Sequence, residues 1–301
     1  MPPGYRGILC AMPELPEVHA LVADLRSRLI GQRIARLDVL AFAALKTYDP
    51  PVSALEGLEI TGVERRGKYL DLGVSSPSAG DLHLVIHLAR AGWLRWRAEA
   101  PKPSLKRGGP LAARLVLDDG SGFDLTEAGT KKSLAIHVVR DPQDVERVAT
   151  LGPDPLAPEF TEQQLADILA SAGRSQIKGV LRDQRQIAGI GNAYSDEILH
   201  VAKMSPFKPA SMPPEEVHVL YHAIQSTLRD AVARSEGLAA SELKGEKKSN
   251  LRVHGRTGEA CPVCGDTIRQ VIYADSTFQY CPTCQTGGKP LADRVLSRLL
   301  K

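Results

Sequence analysis

Four cysteines near one end of the chain constrain its fold more than any other feature. Cys261-Pro262-Val263-Cys264 and Cys281-Pro282-Thr283-Cys284 are two Cys-x-x-Cys pairs separated by sixteen residues, the spacing of a four-thiolate zinc site closed over a hairpin. Disulfides and unliganded thiols are the competing readings. A reducing compartment would keep isolated thiols free, and no secretory signal precedes them, which favours zinc as the cofactor. Such a site folds the chain around itself and does no chemistry. The fifth cysteine, Cys10, stands alone.

Between and around the pairs, Ile268, Val271, Ile272, Tyr273, Phe278 and Tyr280 supply strand residues. Before them, Lys244 to Arg256 carries six basic or histidine side chains and few apolar ones. That run reads as a solvated linker, or as a basic lead into a DNA-contacting hairpin. With 301 residues, 43% hydrophobic and 24% charged, the chain has room for two cores. Its net charge of +3 permits a nucleic-acid partner without requiring one. No apolar run is long enough to span a membrane, so no membrane partner and a cytoplasmic location are expected.

At the other end, residues 1 to 11 show no helix or strand period and read as an extension, a candidate misassigned start. Met12-Pro13-Glu14-Leu15-Pro16-Glu17-Val18 then opens a helix. Pro16 is preset for the first helical position, Glu17 suits the positive helix end, and Val18, Leu21, Val22, Leu25 and Leu29 form an apolar stripe. The same residues permit chemistry. If translation starts at Met12 and the methionine is removed, Pro13 carries a free secondary amine whose ordinary pKa of about 8 leaves part of it nucleophilic at pH 7. Attack on a sugar C1' would give a cationic iminium that acidifies the neighbouring C2' hydrogen. Glu14 could protonate the sugar ring oxygen, and Glu17 could position or tune the amine. If the extension is retained, Pro13 is an internal amide and this chemistry is impossible.

Eight short β-rich runs follow the helix, at 33–40, 58–65, 69–74, 82–88, 92–97, 113–117, 122–125 and 134–139, with Asp119-Gly120 as the clearest hairpin turn. They predict an antiparallel sandwich or flattened barrel. The segment 98–110, with Lys102, Lys106 and Arg107, reads as an exposed basic loop, either a connector or DNA-facing. Asp141-Pro142, Gly152-Pro153 and Asp154-Pro155 mark a boundary. Helices are expected beyond it: one capped by Thr161 and running to Ala170, and a longer one after Pro213-Pro214. Between them lie 176–184, a turn through Gly189-Ile190-Gly191, and 192–199. There Asn192 is placed to cap a helix whose amides could hold phosphate, although Asp196 and Glu197 near that start would repel it. A plain helical hairpin is the competing reading.

Three separated stretches agree in order. PELPEV after Met12, IKGVLRDQRQIAGIGNAYSDEIL from Ile177, and VHGRTGEACPVCG with its partner YCPTCQ resemble the formamidopyrimidine-DNA glycosylase and endonuclease VIII family. The resemblance runs from Met12 to about Gln285. It implies an α+β chain: an antiparallel β-sandwich with a catalytic N-terminal helix (12–140), a linker (141–155), a helix-two-turns-helix domain (156–250), a zinc-finger hairpin (251–285) and a tail (286–301). It further implies a monomer whose partner is damaged double-stranded DNA crossing the cleft between lobes. The implied activity is removal of an oxidised base and nicking of the strand by elimination from an imine. Pro13 matches the nucleophile, Glu14 the proton donor, and Lys68 a lysine that engages phosphate near the lesion. His87, Lys178 and Asn192 match DNA-contacting positions, with a buried structural histidine as the competing reading of His87.

Three departures accompany the resemblance. An arginine usually stands five residues before the third cysteine, where this chain has Ser276, and Arg269 is the candidate substitute. Arg90 stands where the formamidopyrimidine branch has a wedging methionine. Thr126 to Lys132 stands where that branch has an Arg-Arg-Phe loop, leaving Lys131 or Lys132 to reach DNA. The stretch 238–251 also looks shorter than that branch's loop over flipped 8-oxoguanine, which leans the substrate toward oxidised pyrimidines or abasic sites. A catalytically silent damaged-DNA-binding paralogue is the alternative. A zinc-containing sequence-specific regulator ranks last, since nothing resembles a dedicated recognition helix.

Overall fold

The computed structural model describes residues 12–77, 80–101, 109–128, 131–272 and 277–291. Residues 1–11, the loop cations Lys102, Lys106 and Arg107, and Gly129, Thr130, Tyr273 and Ser276 lie outside them. The chain divides into two compact units, one of residues 1–150 and 235–244, the other of 151–234 and 245–301.

In the first unit, α1 (Leu15–Leu29) precedes eight strands: β1 (Ile34–Val39), β2 (Glu59–Arg66), β3 (Tyr69–Ser76), β4 (Gly80–His87), β5 (Gly92–Arg97), β6 (Leu111–Leu117), β7 (Gly122–Glu127) and β8 (Ala135–Val139). They form two four-stranded antiparallel sheets ordered β2-β3-β4-β8 and β1-β6-β7-β5. All eight expected strands are present. The alternation of Leu70, Leu72 and Val74 on β3 and Leu82, Leu84 and Ile86 on β4 feeds one core, which also takes Leu21, Leu25 and Leu29 from α1. The Asp119-Gly120 turn joins β6 to β7, with Gly120 at a φ of 83° and the Ser121 amide held by Asp119. Helix α1 starts one residue earlier than expected: Leu15 is its first residue and Pro16 its second. The segment 235–244 returns to this unit, burying Ala240 and Leu243 in the same core. The short α2 (Glu146–Ala149) ends the first stretch.

The second unit is built from α3 (Glu162–Ala172), α4 (Ile177–Arg182), α5 (Asn192–Val201), α6 (Pro214–Ser235) and α7 (Leu243–Asn250), then β9 (Arg269–Ile272), β10 (Thr277–Tyr280) and α8 (Pro282–Thr286). Helix α7 begins at the end of the returning segment. Thr161 caps α3 through the Gln164 amide. β9 and β10 pair antiparallel between the cysteine pairs. No helix among the described residues is long and apolar enough to cross a membrane.

The run Lys244 to Arg256 is not a linker. Much of it is helical, Lys247 is buried with its ammonium 4.7 Å from the Tyr194 ring centroid, and Lys244 lies 4.3 Å from that of Trp93. Long basic stems cover aromatic surface here while their charges stay at its faces.

Candidate active site and metal centre

Pro13 is buried and leads directly into Glu14, the N-cap of α1. Glu14 and Glu17 are 2% and 1% exposed. Glu17 Oε2 accepts the Glu14 amide at 2.8 Å and the two residues form a reciprocal capping box. Seating two carboxylates on the positive end of a helix offsets part of their desolvation cost. The arrangement also fixes the peptide unit that follows Pro13.

Helix α1 packs on β2 and β3, whose connecting turn carries Lys68. Gly67 adopts a φ of 56° in that turn, a left-handed conformation that suits glycine. The hairpin is pinned below by Asp71, which accepts Arg66 Nε at 2.7 Å and pairs with His83 Nδ1 at 2.8 Å. Lys68 is 7% exposed. The register sets Tyr69 opposite His87, with ring centroids 4.6 Å apart. Burial first, and then the positive charges of Lys68, Arg147 and His137, hold His87 down to about 4. It is therefore a neutral imidazole at pH 7, able to exchange hydrogen bonds without adding charge. Burial pushes the Tyr69 hydroxyl up, against a hydrogen bond and charge from Arg147. Tyr69 and Arg147 escaped the sequence reading. Only the β3–β4 register gives Tyr69 away, and no motif marks Arg147.

Arg90 is exposed on the turn after β4, where Ala89 has a φ of 55°. A Cβ at Gly92 would lie 1.9 Å from the Leu88 carbonyl oxygen, so only glycine closes this turn. Lys131 and Lys132 are exposed beside β8, and Lys132 Nζ donates to the Glu127 carbonyl. Buried Glu127 braces their segment by accepting the Ser133 and Leu134 amides at 2.7 and 3.0 Å. The stretch after α6 is packed rather than open, with Trp93 Nε1 donating to the Ala240 carbonyl at 3.0 Å.

In the second unit, Gly191 rather than Asn192 is the N-cap of α5, and Asn192 is the first helical residue. Its Nδ2 donates instead to the Thr277 carbonyl on β10 at 2.7 Å. Its buried Oδ1 has no hydrogen-bond partner among the described residues. Lys178 points inward, donating to Asn192 O, Ser195 Oγ and Asp196 Oδ1 at 3.2, 2.7 and 2.6 Å. All three ammonium hydrogens thus have an acceptor.

Asp196 and Glu197 are buried, and their oxygens are committed to partners within the protein. Asp196 Oδ2 pairs with His254 Nδ1 at 2.7 Å and accepts the Gln279 amide at 3.1 Å. Glu197 accepts the amides of Arg252, Val253 and His254 at 2.7 to 3.0 Å. Burial pushes the Glu197 carboxyl up even against those three bonds. These acids join α4 and α5 to the cysteine hairpin, and local sequence carries no signal of it.

The four cysteines Cys261, Cys264, Cys281 and Cys284 converge, with all four sulfurs within 4.8 Å of one another. The Cys264–Cys281 and Cys261–Cys284 Sγ separations are 3.3 and 3.9 Å. A tetrahedron with Zn–S bonds of about 2.3 Å has sulfur edges of roughly 3.8 Å, so the donor set fits a divalent ion of zinc's size. His200 Nε2 lies 3.3 Å from the Cys261 sulfur, the outer contact that orients a thiolate ligand. Arg269 is exposed on β9, opposite Tyr280.

Two family models match the chain: formamidopyrimidine-DNA glycosylase N-terminal domain over residues 12–135, and formamidopyrimidine-DNA glycosylase H2TH domain over 151–242. An uncharacterized formamidopyrimidine-DNA glycosylase-like protein of Mycobacterium tuberculosis is 60% identical over 152 residues, which is 50% of this chain and 94% of that protein. The formamidopyrimidine-DNA glycosylase of Symbiobacterium thermophilum is 38% identical over 286 residues, covering 91% of this chain and 89% of the relative. Among solved structures, a complex of the Lactococcus lactis protein with DNA containing an abasic site matches with a TM-score of 0.78 and 26% identity, over 91% of this chain and 99% of that one.

Proposed function

Because the chain belongs to the formamidopyrimidine-DNA glycosylase family, we propose that it is a bifunctional DNA glycosylase and abasic-site lyase acting on damaged duplex DNA as a monomer. The buried Pro13-Glu14-Glu17 cluster carries this reading. Synthesis from Met12 followed by methionine removal frees the Pro13 nitrogen. The N-terminal family match likewise begins at residue 12.

The chemistry follows from three groups. The Pro13 lone pair attacks C1' of the damaged nucleotide, and the bond from C1' to the base breaks, the base leaving with the electron pair and taking up a proton. Glu14, as the carboxylic acid, donates a proton to the ring oxygen as the sugar opens to the iminium. Loss of the C2' hydrogen then expels the 3' phosphate, and water releases the amine from the cleaved product. Lys68 supplies positive charge to the backbone phosphate beside the lesion, and His87 supplies a neutral imidazole next to it.

Arg90, Lys131 and Lys132 are exposed cations for the opened stack and the phosphates around it. Asn192 contacts phosphate in the second unit, and Lys178 contributes by bracing the Asn192 carbonyl. Arg269 takes the hairpin's phosphate contact. Zinc held by the four thiolates supplies the fold of that hairpin and no step of the reaction.

The test is a panel of duplexes carrying one formamidopyrimidine, one 8-oxoguanine, one oxidised pyrimidine or one abasic site. Excision of at least one damaged base with nicking at its site is expected. Glu14→Gln should lose base excision by roughly a hundredfold or more while still nicking the abasic duplex, since an abasic sugar opens to its aldehyde on its own and the amine can attack that without a proton delivered to the ring oxygen. Binding to every duplex with no cleavage would instead identify a silent damage binder.

A further inference from the structure

In the helical unit, α3 and α6 bring together three metal-ligating side chains that the repair reaction does not use. His218 and His222 are one turn apart on α6 and so share a face. Their ring centroids are 4.3 Å apart, and Glu162, the first residue of α3, bonds His218 Nδ1 through Oε2 at 2.8 Å. One donor atom from each residue lies within 4.8 Å of the others.

We propose that Glu162, His218 and His222 form a second metal site, for a divalent ion of the zinc, nickel or copper class. Two imidazoles and one carboxylate are the donors such ions prefer, whereas magnesium and calcium favour an all-oxygen shell. A tetrahedral ion with bonds of about 2.0 Å to nitrogen and oxygen needs donor separations of roughly 3.3 Å. The observed 2.8 Å bond and 4.8 Å limit bracket that value. The ion takes the place of the hydrogen between His218 Nδ1 and Glu162, and the neutral imidazole then carries its one ring hydrogen on Nε2.

The frame is already set. Phe160 stacks on Tyr221 with centroids 6.1 Å apart, and the Tyr221 hydroxyl donates to the Phe160 carbonyl at 3.1 Å. Thr161 caps α3 between Phe160 and Glu162. The start of α3 is thereby fixed against α6, and the ligands need only rotamer adjustment. Solvent or another donor completes the coordination, and the ion staples α3 to α6.

The experiment is equilibrium dialysis of the full chain, its thiolate site filled with one zinc, against rising zinc chloride, with bound metal counted per chain. A second zinc is expected. His222→Ala, at an exposed position that does not endanger the fold, should weaken it by roughly tenfold or more and leave the first zinc in place. Glu162→Gln should weaken it less. One zinc per chain up to millimolar free metal, or a second zinc whose affinity His222→Ala leaves unchanged, would overturn the proposal.

Discussion

Glu14 and Glu17 at the start of α1 bond within three residues of each other, whereas Asp196 and Glu197 on α5 take most of their donors from residues 55 to 83 positions further along the chain. Both pairs are buried carboxylates on helices. The capping-box bond of the first pair is local: it fixes the direction of one peptide unit beside Pro13. The second is an architectural device, in which four segments depend on two side chains.

That contrast can be broken most forcefully at the cysteines. Cys264→Ser should lose the zinc equivalent by metal analysis. Structural zinc is worth about 10–16 kcal/mol in isolated finger peptides, so the hairpin anchored to Asp196 should become protease-sensitive while the first unit stays folded. Unchanged metal content would contradict a four-thiolate site. Next in size, Asp196→Asn removes the anion shared by Lys178 and His254. Breaking a buried pair costs about 3–5 kcal/mol, and the urea midpoint of the second unit should fall while that of the first holds.

The pH dependence sharpens the comparison from the other unit. His87 is held down to about 4, below the ordinary histidine value of 6.5, so the unfolded chain binds its proton first. The stability this contributes is complete above pH 6.5 and is lost as pH falls toward 4. His87→Gln should flatten that part of the stability curve of the first unit, and a superimposable curve would remove His87 as the cause. Smallest in stability is Glu17→Ala, about 1 kcal/mol as for other caps. Its effect on catalysis should exceed that, because the peptide unit beside Pro13 loses its anchor. Equal losses in both would make Glu17 merely a cap.

The local elements were legible because their signals are local. Alternating strands, the Asp119-Gly120 turn and the Thr161 cap each announce themselves within a few residues. Asn192 misled because capping preference does not say which of two neighbours adopts the non-helical backbone, and Gly191 took that place. The basic run from Lys244 misled more deeply. Charge alone does not reveal that Lys247 lies over Tyr194, or that Ala240 and Leu243 return to the first core beside Trp93. Contacts across 147 residues leave no trace in a window of ten.

The central claim is that the Pro13 nitrogen is the nucleophile, and borohydride trapping on a duplex with one abasic site tests it most directly. Protein beginning at Pro13 should form a covalent complex with the DNA, and protein retaining residues 1–12 should form none. Trapping by neither form, or equal trapping by both, would contradict the account.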